Sequence, residues 1–506
     1  MRRKHILVFA TLLSLGLAAE PKEQRFASAT EPTPLEVFER FIKDRDPAVR
    51  RKAVSQLSDQ RGAGVIVALL GALRDEDGQV RDRAEALLIA TRDRSDEIEA
   101  LAKRGFAKQP AEVRAVAVKA LAAAGANAIE PLRDALDDRD PFVRSSAARA
   151  LAALGDKQAA PKLHELLTAK EPTVRAAACE AIGDILGAQS CGVASAVALG
   201  DVSPEPRIAA VRILAKFPSA DSVAHVARCL AHPSWSLRVA ASMSLAEHGV
   251  GDTAIREAVR ELVEALARED RRRVRRAMGE ALWSLTGIDF GPDADPWKKW
   301  YAQAGRTFEP PKRRPQRAVS GASATHGGLL DLPLESEHVG FVLDLSSSMN
   351  DPVRFGVKTT KREDLVAAFE GVVERLPKPS WLNLISFATD VKPYRPRLFE
   401  ATASARASVT KEFARTTPDG RTNIFDALEV AMSDSDADTI VLVTDGAPSA
   451  GRRTSRTGIV DAVVELNRYR LCRIHTVEIG AANTGARWKG FLEDLSNATG
   501  GTHVSR

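Results

Sequence analysis

Aromatic residues make up only 5% of this 506-residue chain, with 6 tryptophans and 3 tyrosines. That scarcity, beside a visible abundance of alanine, favours closely packed helices over an aromatic-rich β-sandwich. Cysteine is also scarce: the 4 residues permit disulfides without demanding them. Net charge is small, +5, and falls to +2 once Arg2, Arg3 and Lys4 are set aside as part of a removable leader. A near-neutral chain of this size has no global electrostatic pull toward nucleic acid. The loops that carry common enzyme chemistry are missing. There is no Gly-x-x-x-x-Gly-Lys phosphate loop, no Gly-x-Gly-x-x-Gly opening a helix and no Gly-x-Ser-x-Gly elbow. His164-Glu165 lacks a second histidine four residues on from the first, and the other histidines are scattered. No nucleophile–base pairing is legible, so no enzyme is indicated.

What is present is ordinary for a folded chain: 44% hydrophobic and 27% charged residues. At roughly 100–200 residues per domain the length allows two to four domains. Residues 1–19 read as a secretory signal. Arg2–Lys4 forms the charged start, Ile6–Leu17 an apolar run, and Ala18-Ala19 offers small residues for cleavage. The run is short for a membrane span, and no other stretch reads as one, so the mature chain is expected to lack a transmembrane segment. The expected location is exported: periplasmic, cell-surface or secreted. In that setting Cys179 and Cys191, twelve residues apart, are candidates for a bridge, the alternative being unpaired buried thiols.

The next 270 or so residues repeat. An apolar-Arg-x-x-small-x-x-x-Leu pattern recurs at Arg50, Arg81, Arg114, Arg144, Arg175, Arg207, Arg238 and Arg275. Three residues on stands Ala53, Ala84, Ala117, Ala147, Ala178, Ala210, Ala241 or Met278. Seven residues on stands Leu57, Leu88, Leu121, Leu151, Ile182, Leu214, Leu245 or Leu282. Offsets of −1, +3 and +7 share one helix face, and alanine in the middle lets a neighbouring helix come close. Helix starts are marked by Asp46-Pro47, Asp140-Pro141, Glu171-Pro172 and Ser203-Pro204, with Asp77 in the same role before Gly78. A second helix precedes each start. One such pair cannot bury its apolar face alone, whereas a stack of eight makes a continuous core. The pattern resembles HEAT repeats of the short, Ala-rich bacterial kind. The resemblance implies an all-α solenoid whose arginines pair with acidic residues of the adjacent repeat, and whose extended surface holds another macromolecule. The last repeat carries Arg271, Arg272, Arg273, Arg275 and Arg276, read either as a solvated face or as a contact for an acidic partner or anionic surface. Trp297, Trp300 and Tyr301 are expected to cap the open end, closing the solenoid over 31–302. Residues 303–325, basic and proline-rich, are expected to be a linker.

From about residue 326 to 506 strand-like runs alternate with amphipathic helices, which implies a mostly parallel sheet with helices on both faces. Two apolar runs, Gly-Phe-Val-Leu and Ile-Val-Leu-Val, end in Asp344 and Asp445. Ligands of such sheets sit beyond the carboxyl ends of strands, and two converging carboxylates repel unless a cation joins them. Ser346, Ser348 and Thr422 add hydroxyl oxygens, so the set suits Mg²⁺, with Ca²⁺ or Mn²⁺ as alternatives. Asp344-x-Ser346-x-Ser348, Thr422 and Asp445, in that order, resemble the metal-ion-dependent adhesion site of von Willebrand factor A domains. The whole chain thus reads as multidomain: a HEAT-like solenoid followed by an α/β, Rossmann-like A domain.

The resemblance implies that Asp344, Ser346, Ser348 and Thr422 hold the ion, with Asp445 often acting through water. A free coordination position then takes a carboxylate from a protein partner. Arg421 stands where the family often has glycine, and an insert at 350–360 follows Met349. The expected function is a non-enzymatic interaction or adhesion protein. The alternatives are an envelope scaffold in which the metal has no role, and, because the repeats also resemble those of bilin lyases, a lyase.

Overall fold

The computed structural model describes residues 32–90, 94–247, 251–305, 307–311, 332, 336–353, 356–480 and 490–505. The leader at 1–19 and most of the 303–325 linker lie outside the described residues. Among those described, eight helix pairs run from Pro34–Phe41 to Arg272–Thr286. The alanines and leucines of the repeat are all buried, as their shared helix face requires.

The repeat arginines stitch the stack together in two directions. Arg114 is typical. Its Nη1 donates to the Gln109 carbonyl in the turn before its own helix, while Nε and Nη2 grip both Asp138 oxygens at 2.8 Å in the following repeat. Arg50 with Asp75, Arg175 with Asp201 and Arg238 with Glu269 repeat the arrangement, and Arg144 meets Glu171 through one nitrogen. The capping expectation holds at Asp46, Asp77 and Asp140, whose side chains accept from the first-turn amides. At Glu171 and Ser203 it does not: those side chains make no cap. They are taken instead by Arg144 and Arg175 of the preceding repeat. A guanidinium offers a charge-assisted bond, and the proline that follows already fixes the helix start. Arg114→Ala should lower stability by about 2 kcal/mol, the typical cost of losing hydrogen bonds between charged groups. Chemical denaturation would read it, and a loss within error would show that packing alone sets the repeat spacing.

Two stretches, Ala111–Asp137 and Pro172–Gly200, are apolar and long enough by composition to cross a membrane. Each is folded rather than straight, turning at Gly125 and Gly187, where φ is 76° and 59°. All four cysteines are free, so the 179–191 bridge does not form; Cys179 faces the repeat core, where burial pushes its thiol up to about 12. After the last pair, the helix Ala294–Trp300 buries Trp297 completely, and its indole donates to the Gly291 carbonyl at 3.0 Å.

The C-terminal sheet has strands β1 (His338–Asp344), β2 (Trp381–Phe387), β3 (Val391–Pro393), β4 (Phe399–Glu400), β5 (Thr439–Thr444), β6 (Arg473–Glu478) and β7 (His503–Ser505). Their order is β3-β2-β1-β5-β6-β7, with β4 also on β2. The main strands are parallel; β3 and β4, short antiparallel additions to β2, make the sheet mixed. One face of the sheet continues the apolar core of the later repeats, and the other packs its own cluster around Phe341, Phe369 and Phe413.

The second helices of the repeats hold the sheet domain directly. In the second repeat Arg81 donates to the carbonyls of Gly451 and Arg452. Asp82 accepts from the Thr454 amide and hydroxyl at 2.8 and 2.7 Å, and Glu85 pairs with Arg453 at 3.0 Å. A Cβ at Gly78 would stand 2.9 Å from Thr454 Cγ2, so this helix approaches because glycine is there. Further along, Arg149 meets Glu465, the Trp235 indole donates to the Ser435 carbonyl at 2.9 Å, and Arg271 pairs with Asp438 at 2.9 Å. The surface expected to grip another macromolecule therefore grips the chain's own C-terminal domain at these residues. Most of the basic cluster is likewise spent within the chain, Arg271 on Asp438, Arg275 on the Pro292 carbonyl and Arg276 on Glu280, while the Arg272 side chain is exposed. Burial pushes the Arg273 guanidinium down to about 10.

Candidate metal centre

β1 pairs in parallel with both β2 and β5, so the carboxyl ends of β1 and β5 lie at one edge. Asp344 is the last residue of β1, and Asp445 follows β5 directly. Both are buried, Asp344 completely. The Asp344 carboxylate accepts from the Ser346 amide at 2.7 Å and from the Thr444 hydroxyl. Ser346 and Ser348 hydroxyls are 3.2 Å apart, and Ser348 donates to Asp445 at 2.8 Å. Thr422 stands beside them: a Cβ on Gly446 would lie 3.8 Å from its hydroxyl and 3.9 Å from that of Ser348. All five residues read from the sequence thus meet around one loop cluster.

The loops are laced together by groups the sequence did not single out. Ser347 donates its amide to the Gly420 carbonyl and accepts the Gly420 amide on its hydroxyl at 2.9 Å. Ser449 accepts the Thr422 amide on its hydroxyl at 3.0 Å and donates its own amide to the Thr422 carbonyl at 2.8 Å. Arg421 does not stay at the site. Its guanidinium donates to the Ser449 carbonyl and stands 3.7 Å from Asp77 of the second repeat.

Electrostatics follow from burial. Desolvation pushes the Asp344 carboxyl up to about 6, against the hydrogen bonds from Thr444 and Ser346, and the charge of Asp445 adds to the rise. A group so placed gains from a nearby cation. Two carboxylates and three hydroxyls form an all-oxygen donor set that fits a hard divalent ion. One residue complicates the fit. Lys361, the first residue of the helix Lys361–Arg375, sends its ammonium to Asp445 Oδ2 at 2.6 Å, with both side chains almost fully buried. The sequence carried one faint sign of this. A cation in the first turn opposes the helix dipole, a small cost that an anion facing it offsets.

The family model for HEAT repeats matches residues 98–183 and 194–283, and that for the von Willebrand factor type A domain matches residues 339–447. The human von Willebrand factor A domain-containing protein 3A is 30% identical over 192 residues, 38% of this chain. The match spans only 15% of that protein's length. Among solved structures, an aerotolerance-related membrane protein from Bacteroides fragilis is 15% identical over 33% of this chain and 90% of its own, with a TM-score of 0.26. The CpcE–CpcF complex of phycocyanin lyase from Nostoc is 20% identical over 48% and 97%, also at 0.26. Scores that low carry no argument about what this chain does.

Proposed function

We propose that this chain, in which HEAT repeats precede a von Willebrand factor type A domain, is an exported, non-enzymatic interaction protein. Its A domain takes an acidic group of a protein partner through a divalent ion, Mg²⁺ first, with the solenoid as scaffold. One observation carries this reading: Asp344, Ser346, Ser348, Thr422 and Asp445 come together at the carboxyl edge of β1 and β5. When bound, the ion would supply a coordination position for a partner carboxylate. The chain's own part is to hold the donors. Thr444 and the Ser346 amide orient Asp344, Ser348 is tied to Asp445, and Ser347 with Gly420 keeps the loop of Thr422 against that of the serines.

The test is affinity capture from the native envelope fraction with Mg²⁺, repeated with EDTA and with Asp344→Ala. Loss of the partner in both controls is expected. A partner set indifferent to both would favour the second reading, a scaffold with no metal role. The Lys361–Asp445 pair is the observation on that side, since it neutralises one carboxylate without any ion.

A further inference from the structure

We propose that Lys361 is the resident counter-cation of the metal site, holding Asp445 in the ion-free protein and competing with a divalent ion for that carboxylate. The inference rests on the metal reading above. It starts from the 2.6 Å contact between Lys361 Nζ and Asp445 Oδ2, in which the lysine side chain is 3% and the aspartate 1% exposed. The other Asp445 oxygen accepts from Ser348, itself one of the candidate ligands, so the ammonium stands one carboxylate away from the hydroxyl pair.

The placement is built by several independent features. Thr360 and Glu363 form a reciprocal capping box, Thr360 Oγ1 accepting the Glu363 amide and Glu363 accepting the Thr360 amide at 2.8 Å, which fixes Lys361 as the first helical residue. Pro352 bridges to Thr360, and the Lys361 amide donates to the Asp351 carbonyl at 2.9 Å. The stem of the lysine passes over Gly480: a Cβ there would stand 3.0 Å from Lys361 Cε. The insert, which lengthens the loop after Met349, thus ends by delivering a positive charge to the site. Facing that charge are Asp445 and, at 4.0 Å, the exposed carboxylate of Asp351.

A fixed unit charge a few ångströms from a divalent ion repels it strongly even at a protein's effective dielectric. The site is therefore tuned toward weak, readily reversed metal binding. Removing the charge should tighten binding, a direction that damage to the fold would not produce.

The experiment is a calorimetric Mg²⁺ titration of the full chain as wild type, Lys361→Met and Lys361→Gln. Glutamine keeps a donor for Asp445 and serves if the methionine variant does not fold. The expected result is an affinity at least about tenfold higher in the variants. Equal or weaker binding in the variants, with Mg²⁺ still bound by wild type, would overturn the role of Lys361 and leave the metal reading standing. Binding by none of the three would overturn both.

Discussion

Adding Mg²⁺ to the full chain should raise the midpoint at which the A domain unfolds, and Asp344→Ala should abolish the rise. A ligand that binds only the folded form stabilises it by about 2.7 kcal/mol at a hundredfold excess over its dissociation constant. The effect should also depend on pH in a definite direction. Burial holds the Asp344 carboxyl at about 6, above the ordinary aspartate range. An acid with a raised folded pKa supports the fold below its unfolded pKa, and that support is lost as pH rises through the folded value. The ion-free domain should therefore weaken, through this group, between about pH 4 and about pH 7. Protons and metal compete for the same carboxylate, so the Mg²⁺-induced rise should be larger at about pH 7.5 than at about pH 5. Differential scanning calorimetry at the two values, with chelator as reference, reads both effects. A rise of equal size at both, or one that survives Asp344→Ala, would place the ion elsewhere.

The second large effect is expected where the two domains meet. Asp438 is fully buried and accepts from Ser336 and Thr439 as well as from Arg271, which comes from the last repeat and lies over the Trp235 ring. Arg271→Ala would leave that carboxylate buried without its cation, at a cost of about 3–5 kcal/mol. Its neighbour supplies the control. The Arg272 side chain is exposed and only its backbone amide bonds across, to Glu337 at 3.1 Å. Arg272→Ala should thus change stability by no more than about 0.5 kcal/mol. Equilibrium denaturation, with small-angle scattering to follow the separation of the domains, distinguishes the two variants. If both behave alike, the contact at Asp438 is incidental to how the domains sit together.

The repeats were legible because a helix pair exposes its requirements locally. Arginine, alanine and leucine at fixed offsets describe one helix face, and the acidic partners of Arg50, Arg114, Arg144, Arg175 and Arg238 sit 24 to 31 residues further along the chain, about one repeat. The grouping of the five candidate residues was legible for a related reason. Asp344, Ser346 and Ser348 are near neighbours in sequence, and parallel strands bring the ends carrying Asp344 and Asp445 to one edge. What was missed lacks such periodicity. The β3 and β4 additions are 3 and 2 residues long, too short to show a strand pattern. Helix starts at Glu171 and Ser203 look like caps in sequence, yet competition from arginines 27 and 28 residues away decided otherwise.

From the sequence alone came the two architectures, their order along the chain and the five oxygen-bearing residues in the strand ends and adjoining loops. The architectures rest on interactions between residues close in sequence or on a repeating geometry, and the five residues on the likeness of their ordered motif to the von Willebrand factor A domain site. Only the tertiary structure decided that the solenoid spends Arg81, Asp82, Glu85, Trp235 and Arg271 on its own C-terminal domain, and that Lys361 reaches Asp445. Those contacts join residues separated by 84 to 372 positions. At such separations no local pattern constrains the pairing, and burial of complementary charge in the folded chain is what selects it.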